Sequence, residues 1–90
     1  MVKQDIVDIA SAYNRIRLTL IDLGGIGHIS NKTSQDCLDW LKTALLQDGD
    51  KKGLSLIKGL FQDLKRKNAL KENHFLNLMK DLATMNRAEF

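Results

Sequence analysis

The side chains that could carry covalent or metal chemistry are few and far apart in this chain of 90 residues. One cysteine, Cys37, and two histidines, His28 and His74, are present. A lone thiol and two distant imidazoles do not make a closed zinc site, and one cysteine cannot form an internal disulfide. Cys37 lies on the inward side of a predicted helix, which favours a buried, inert thiol over a nucleophile. The sequence therefore predicts no metal or cofactor site.

A glycine-rich stretch at residues 23–27 is the other feature that could bind a ligand. A phosphate-binding loop follows a strand and places a Lys-Ser/Thr pair directly after its last glycine. Here an amphipathic helix precedes the glycines, and Lys32-Thr33 comes too late. No two titratable groups are placed by spacing alone to shift each other's pKa values. We therefore expect a protein that is not an enzyme and takes no small-molecule substrate.

Composition is that of an ordinary globular domain. Hydrophobic residues make up 43% of the chain and charged residues 28%, values typical of a packed core with a solvated surface. The length predicts one domain over residues 1–90. No run of about 18 apolar residues could span a membrane, and the first residues lack a secretory pattern. With one cysteine, the expected compartment is reducing: the cytoplasm, or also the nucleus.

The elements that would position these residues are helices. The chain contains no proline, and its apolar residues recur every three or four positions, which predicts helix throughout. Gly24-Gly25 is expected to end the first helix, and Thr33 or Ser34 to cap the second. The predicted fold is all-α, a compact antiparallel bundle of five to six helices, with a short last helix over 86–90. The inward residues after the first helix are Leu38, Leu41, Leu45, Leu54, Ile57, Phe61, Leu64, Phe75, Leu78, Met79, Leu82 and Met85.

Charge is unevenly distributed along the chain, which carries +3 overall. Residues 1–50 hold five basic and seven acidic side chains, net −2, whereas residues 51–90 hold nine basic and four acidic, net +5. A basic half can meet nucleic acid or an anionic membrane. Acidic and basic faces on one domain also suit head-to-tail association, and both faces could equally serve solubility alone. The basic cluster comprises Lys51, Lys52, Lys58, Lys65, Arg66, Lys67 and Lys71.

Several segments after residue 54 form a pattern that resembles the last helices of a death effector domain. They are Leu60-Phe61-Gln62-Asp63-Leu64, Ala69-Leu70, Glu72-Asn73 and the leucine-rich segment 75–82. Arg87-x-Glu89-Phe90 stands where that family has an Arg-x-Asp-Leu motif. Upstream, Thr33-Ser34-Gln35-Asp36 with Leu38, Leu41 and Lys42 is similar to the family's second helix. The resemblance covers most of residues 10–90.

The resemblance implies a death-fold Greek key and a non-catalytic module that binds other death-fold domains, or itself, in apoptotic or innate-immune signalling. Asp36 or Asp39 would then orient Arg87, together with Glu89. Trp40 either belongs to a central helix or lies partly outside as a contact residue. Association should weaken with rising salt and with Lys65→Glu or Arg66→Glu. The interaction surface expected on these grounds comprises Asp36, Asp39, Trp40, Lys51, Lys52, Lys58, Lys65, Arg66, Lys67, Arg87 and Glu89.

Two other functions fit the same composition. Small cationic helical bundles include bacterial immunity proteins, which protect a toxin producer at the membrane or on a membrane partner, although no motif here matches one. A nucleic-acid-binding bundle would need aromatic residues interleaved with the basic cluster, whereas Phe61 and Phe75 lie on inward stripes. The helix arrangement distinguishes the death-fold module from the immunity-type protein. Six helices in a Greek key favour the death fold, and a plain up-and-down bundle of four helices favours an immunity-type protein.

Overall fold

A computed structural model describes residues 2–47 and 51–86, and these residues form four α-helices. The helices are α1 (Val2–Gly25), α2 (Asn31–Leu46), α3 (Lys51–Arg66) and α4 (Glu72–Asn86). At about 1.5 Å per residue, the 24 residues of α1 span about 36 Å. This length is close to the 38 Å long axis of the molecule, so α1 runs along the whole bundle.

The four helices form a ring in chain order. Helix α1 contacts α2 and α4, and α3 contacts the same two helices. Because the connections over 26–30, 47–50 and 67–71 are short, consecutive helices run antiparallel. The all-helical, compact fold predicted from the sequence is confirmed. The described residues contain four helices where five to six were predicted, and the expected short helix over 86–90 lies almost entirely outside them.

The helix ends are set by side-chain and backbone caps. Ser30, and not Thr33 or Ser34, is the N-cap of α2, since its Oγ accepts a hydrogen bond from the backbone N–H of Thr33 at 3.1 Å. The sequence prediction was wrong because a Ser, a Thr and a second Ser in close succession all suit this position. Ser34 instead donates its hydroxyl to the carbonyl oxygen of Leu20 at 3.2 Å, which ties α2 to α1.

Both α1 and α3 end in a residue with left-handed backbone conformation. Gly27 (φ 80°) follows α1 and Asn68 (φ 60°) follows α3. In each case the next N–H donates to a carbonyl five residues back: His28 to Leu23 at 2.9 Å and Ala69 to Leu64 at 2.8 Å. This pattern is the Schellman motif. Gly27, beyond the predicted Gly24-Gly25 stop, is therefore the glycine whose conformational freedom the turn requires.

The core is built mainly from the predicted stripes. Leucine, isoleucine and phenylalanine side chains of all four helices are buried together. On α2 the buried arc is rotated from the predicted one: Cys37 and Ala44 are buried with Leu41, while Leu38 and Leu45 are only half-buried. Phe75 and Met79 are half-buried on α4 in the same way.

Candidate functional site

An apolar groove with a basic rim lies between α3 and α4. Its volume is about 600 Å³, and its floor is formed by Leu54, Met79, Leu82 and Ala83. Leu54 and Leu82 are also core residues, whereas Met79 is half-buried. The floor is therefore continuous with the core of the bundle, and we call this feature the α3–α4 groove.

Lysines line the wall of the α3–α4 groove at intervals of seven residues along α3. Lys51 and Lys58 belong to its lining, and Lys65 follows at the same spacing. Because seven residues are about two helical turns, the three lysines lie on one flank of α3. Lys51 and Lys58 are exposed, and neither forms an ion pair within the part of the chain that the structure describes. Two uncompensated cations thus stand over an apolar floor.

Three other basic residues of the cluster, Lys65, Arg66 and Lys67, form ion pairs within the chain. Lys65 Nζ lies 3.0 Å from Glu72 Oε2 and 4.8 Å from the centre of the Phe75 ring. Arg66 and Lys67 both pair with Asp63, the latter at 3.0 Å from Nζ to Oδ2. These two bonds lower the pKa of Asp63, first through Lys67 and then through Arg66.

This pairing divides the predicted basic surface. Lys65, Arg66 and Lys67 lie at the C-terminal end of α3, where their charges also complement the negative end of the helix. Exposed pairs of this kind contribute about 0–1 kcal/mol each. Lys65 and Arg66, which the sequence favoured as test positions, are consequently less available to a partner than Lys51 and Lys58.

The opposite side of α4 contains a buried carboxylate. Asp81 is 7% exposed, and its Oδ1 lies 3.3 Å from Nη1 of Arg15 on α1. Its other oxygen, Oδ2, is buried without a hydrogen-bond partner. Burial raises the pKa of Asp81, opposed by the charges of Arg15 and Lys80. The contact between α1 and α4 therefore includes an ion pair, whereas the floor of the α3–α4 groove is apolar.

Both histidines line a second groove, at the end of the seam between α1 and α4. Its volume is about 530 Å³, and His28 and His74 share it with Asp22, Lys71 and Arg15. Among the described residues, no group of three or more His, Cys, Asp or Glu side chains is placed to hold a metal ion. The mixed charges of this rim do not select one kind of ligand.

Cys37 lies in the core at 1% exposure. Burial, with a smaller contribution from the charge of Asp36, raises the pKa of its thiol to about 11. The group is therefore protonated at neutral pH and inert as a nucleophile.

The acidic residues and the tryptophan predicted for the interaction surface lie on α2. Asp39 is exposed and accepts a hydrogen bond from Gln35 at 3.3 Å. Asp36 and Trp40 are half-exposed, and Trp40 also packs against the core. Trp40 thus lies partly outside the core, and its role as a contact residue stays a prediction. Arg87 and Glu89, whose contact with Asp36 or Asp39 was expected, lie outside the described residues.

Sequence reasoning missed the residues that complete these surfaces. The groove was not predicted because its half-buried residue Met79 cannot be told from a core residue by a period of 3.6, and its residue Ala83 is exposed. The seven-residue spacing of Lys51, Lys58 and Lys65 was the available signal for a basic stripe. Asp81 could have been found from its position among Leu78, Leu82 and Met85, since it falls inside their buried arc.

No protein-family description, curated protein or solved structure matches this chain. Over the described residues, no helix is long and apolar enough to cross a membrane. The geometry of the bundle and its surface is thus the basis on which a function can be proposed.

Proposed function

We propose that this protein is a non-catalytic protein-binding module whose α3–α4 groove receives an acidic, amphipathic segment of a partner protein. The observation that carries the proposal is the pair Lys51 and Lys58, which have no ion-pair partner among the described residues and stand over an apolar floor. Grooves of this kind bind the apolar face of a helix. Rim charges add specificity and speed of association.

The chemistry of the partner follows from the groove. Leu54, Met79 and Leu82 offer apolar contact area, so the partner segment presents leucine-like side chains at helical spacing. Lys51 and Lys58 lie two turns apart, about 10 Å along the helix axis, so carboxylates at a similar separation would meet both. A related domain with an acidic helix, as homotypic death-effector assembly implies, is one such partner.

A synthetic acidic amphipathic peptide, with leucines on one face and glutamates on the other, tests the proposal by fluorescence anisotropy. We expect Lys51→Glu/Lys58→Glu to weaken peptide binding by about tenfold or more, equal to about 1.4 kcal/mol. The matched control is Lys32→Glu/Lys42→Glu, which makes the same change in net charge at exposed positions of α2. Equal weakening by both double variants would show that net charge, and not the groove, attracts the peptide.

The order of the helices favours a second candidate. Each helix lies beside its neighbours in sequence, and α1 and α4 close the ring, which is the up-and-down arrangement expected of an immunity-type bundle. The Greek key of the death fold implies six helices, and the described residues form four. In an immunity-type protein the basic groove would act at a membrane or on a membrane partner.

Vesicle flotation separates the second candidate from the first. An immunity-type protein that acts at a membrane surface should float with anionic vesicles and lose this binding as salt rises. Lys51→Glu/Lys58→Glu should abolish the flotation, and neutral vesicles are the control. A protein that stays in the soluble fraction with both kinds of vesicle would contradict direct action on the membrane.

A further inference from the structure

A second apolar surface lies on the other side of α3, along its seam with α2. On α3, the lysine-bearing flank faces α4, so Leu56 and Leu60, on the opposite flank, face α2. Leu56 is 44% exposed, and Leu60 is half-buried. Leucine at this exposure leaves apolar area in water that the fold of one chain does not cover.

Trp40 lies on the flank of α2 that faces this part of α3. A Cβ atom on Gly24 of α1 would lie 3.6 Å from Asn31 Oδ1, so the flank with Asn31 faces α1. Trp40 is on the other flank by helical register. Trp40 lies six residues before the end of α2 and Leu56 five residues after the start of α3, so in these antiparallel helices both lie about one and a half turns from the connection between them.

Opposite charges flank this apolar patch. Asp36 lies one turn before Trp40 on α2, and Lys52 lies one turn before Leu56 on α3. Since the two helices are antiparallel, the acid and the base lie toward opposite ends of the bundle. Neither has an ion-pair partner among the described residues.

A surface with this pattern is complementary to itself. A two-fold axis that lies in the plane of the patch, at right angles to the line from Asp36 to Lys52, would place Asp36 of one copy against Lys52 of the next, and the reverse. We propose that a second copy of this chain binds here, with Trp40 and Leu56 of both copies buried at the centre. We call this surface, comprising Asp36, Trp40, Lys52, Leu56, Gly59 and Leu60, the α2–α3 face.

Gly59 supports the same occupant. It is exposed in the interior of α3, one turn from Leu56, and an added Cβ there would meet no atom of the chain within 4 Å. Glycine in a helix interior is unfavourable, and no contact among the described residues requires a glycine at position 59. A helix of the second copy could approach α3 closely at a position that has no side chain.

Sedimentation velocity over a range of protein concentrations tests the dimer, with emission of the single tryptophan as a second readout. We expect a concentration-dependent dimer and a blue shift of Trp40 emission as it forms. Asp36→Lys and Lys52→Asp should each weaken the dimer by about tenfold or more, because each places like charges across the axis. The double variant Asp36→Lys/Lys52→Asp should restore it, because the exchange preserves the two-fold complementarity.

Matched variants keep the test specific and separate it from the groove. Lys80→Asp makes the same charge change at another exposed position and should leave the dimer intact, as should Lys58→Glu. Gly59→Ala should weaken the dimer without lowering the unfolding temperature of the monomer. Circular dichroism verifies that each variant is folded.

Three results would overturn the proposal. The first is a protein that stays monomeric up to about 1 mM, the dissociation constant of a very weak complex. The second is a dimer that Asp36→Lys and Lys52→Asp do not weaken. The third is a dimer that both single variants weaken and the double variant fails to restore. None of these bears on peptide binding at the α3–α4 groove, so the two proposals can fail separately.

Discussion

The two sides of α4 meet their neighbouring helices in different ways. Toward α1, the contact includes the buried carboxylate of Asp81 and the guanidinium of Arg15, 3.3 Å apart. Toward α3, the floor of the α3–α4 groove is apolar and the charges of Lys51 and Lys58 remain at its rim. The ion pair of these two helices, between Lys65 and Glu72, is exposed. Helix α4 thus has a buried charge on the side that faces α1. On the side that faces α3 it has an apolar surface with exposed lysines at the rim.

In our proposal, the contact of α4 with α1 serves folding and the α3–α4 groove serves binding. In this contact Asp81 is buried and Arg15 remains 60% exposed, so the pair fixes how α1 and α4 meet and adds little net stability. Rim lysines, in contrast, contribute little to stability because they remain solvated. A partner that covers the α3–α4 groove would desolvate them and gain from their charge.

The apolar floor of the α3–α4 groove gives the largest expected effect. Leu82 is 5% exposed and belongs both to the floor and to the core. We expect Leu82→Ala to lower the free energy of unfolding by about 2–5 kcal/mol, measured by urea denaturation. Ser55→Ala, at the exposed rim, is the control and should change it by less than about 0.5 kcal/mol. A decrease of less than about 1 kcal/mol for Leu82→Ala would contradict the assignment of this floor residue to the packed core.

Removal of Arg15 breaks the ionic contact on the other side of α4. Arg15→Met should lower the free energy of unfolding by about 1–3 kcal/mol, because Asp81 is left buried without its ion-pair partner. In an Asp81→Asn background the same change should cost much less. A double-mutant cycle from four denaturation curves measures this coupling. Equal costs in both backgrounds would mean that the contact between α1 and α4 is not ionic in solution.

The pH dependence of stability gives the smallest of these effects. Burial raises the pKa of Asp81 above its unfolded value, so the folded state binds more protons than the unfolded state between the two pKa values. The contribution of Asp81 is most favourable at acid pH and is lost as pH rises through the folded pKa. Asp63 behaves oppositely: its pKa is lowered, so its contribution is lost as pH falls through its folded pKa.

Denaturation of the wild type and of Asp81→Asn, from about pH 3 to about pH 7, isolates the Asp81 term. The wild type should lose stability relative to the variant as pH rises. Asp63→Asn is the matched comparison at an exposed pair, and there the wild type should gain stability relative to the variant. Parallel pH profiles for the wild type and Asp81→Asn would show that burial does not shift this carboxyl group.

Periodicity alone predicted the helices and most of the core, because buried apolar stripes are a direct consequence of helix geometry. Leu54, Ile57, Phe61 and Leu64 are buried as predicted. The pairing of Arg66 and Lys67 with Asp63 was not predicted, because spacing alone does not determine whether a charged side chain contacts solvent or one of several neighbouring groups.

The binding surfaces were harder to predict because they depend on which helices are neighbours. The sequence placed Trp40, Lys52 and Lys58 in one interaction surface. Lys58 lines the α3–α4 groove, whereas our proposals place Trp40 and Lys52 on a separate surface, the α2–α3 face. Periodicity shows which side of a helix is apolar, and only tertiary packing shows what lies beside it.

The most direct test of the central claim is to map the acidic amphipathic peptide on the protein by NMR titration. If the α3–α4 groove is the binding seam, the methyl signals of Met79 and Ala83 should shift most and saturate with the peptide. The signals of Ile26 and His74, which line the groove between α1 and α4, should stay in place. Shifts centred on Ile26 and His74, with Met79 and Ala83 unchanged, would contradict the claim.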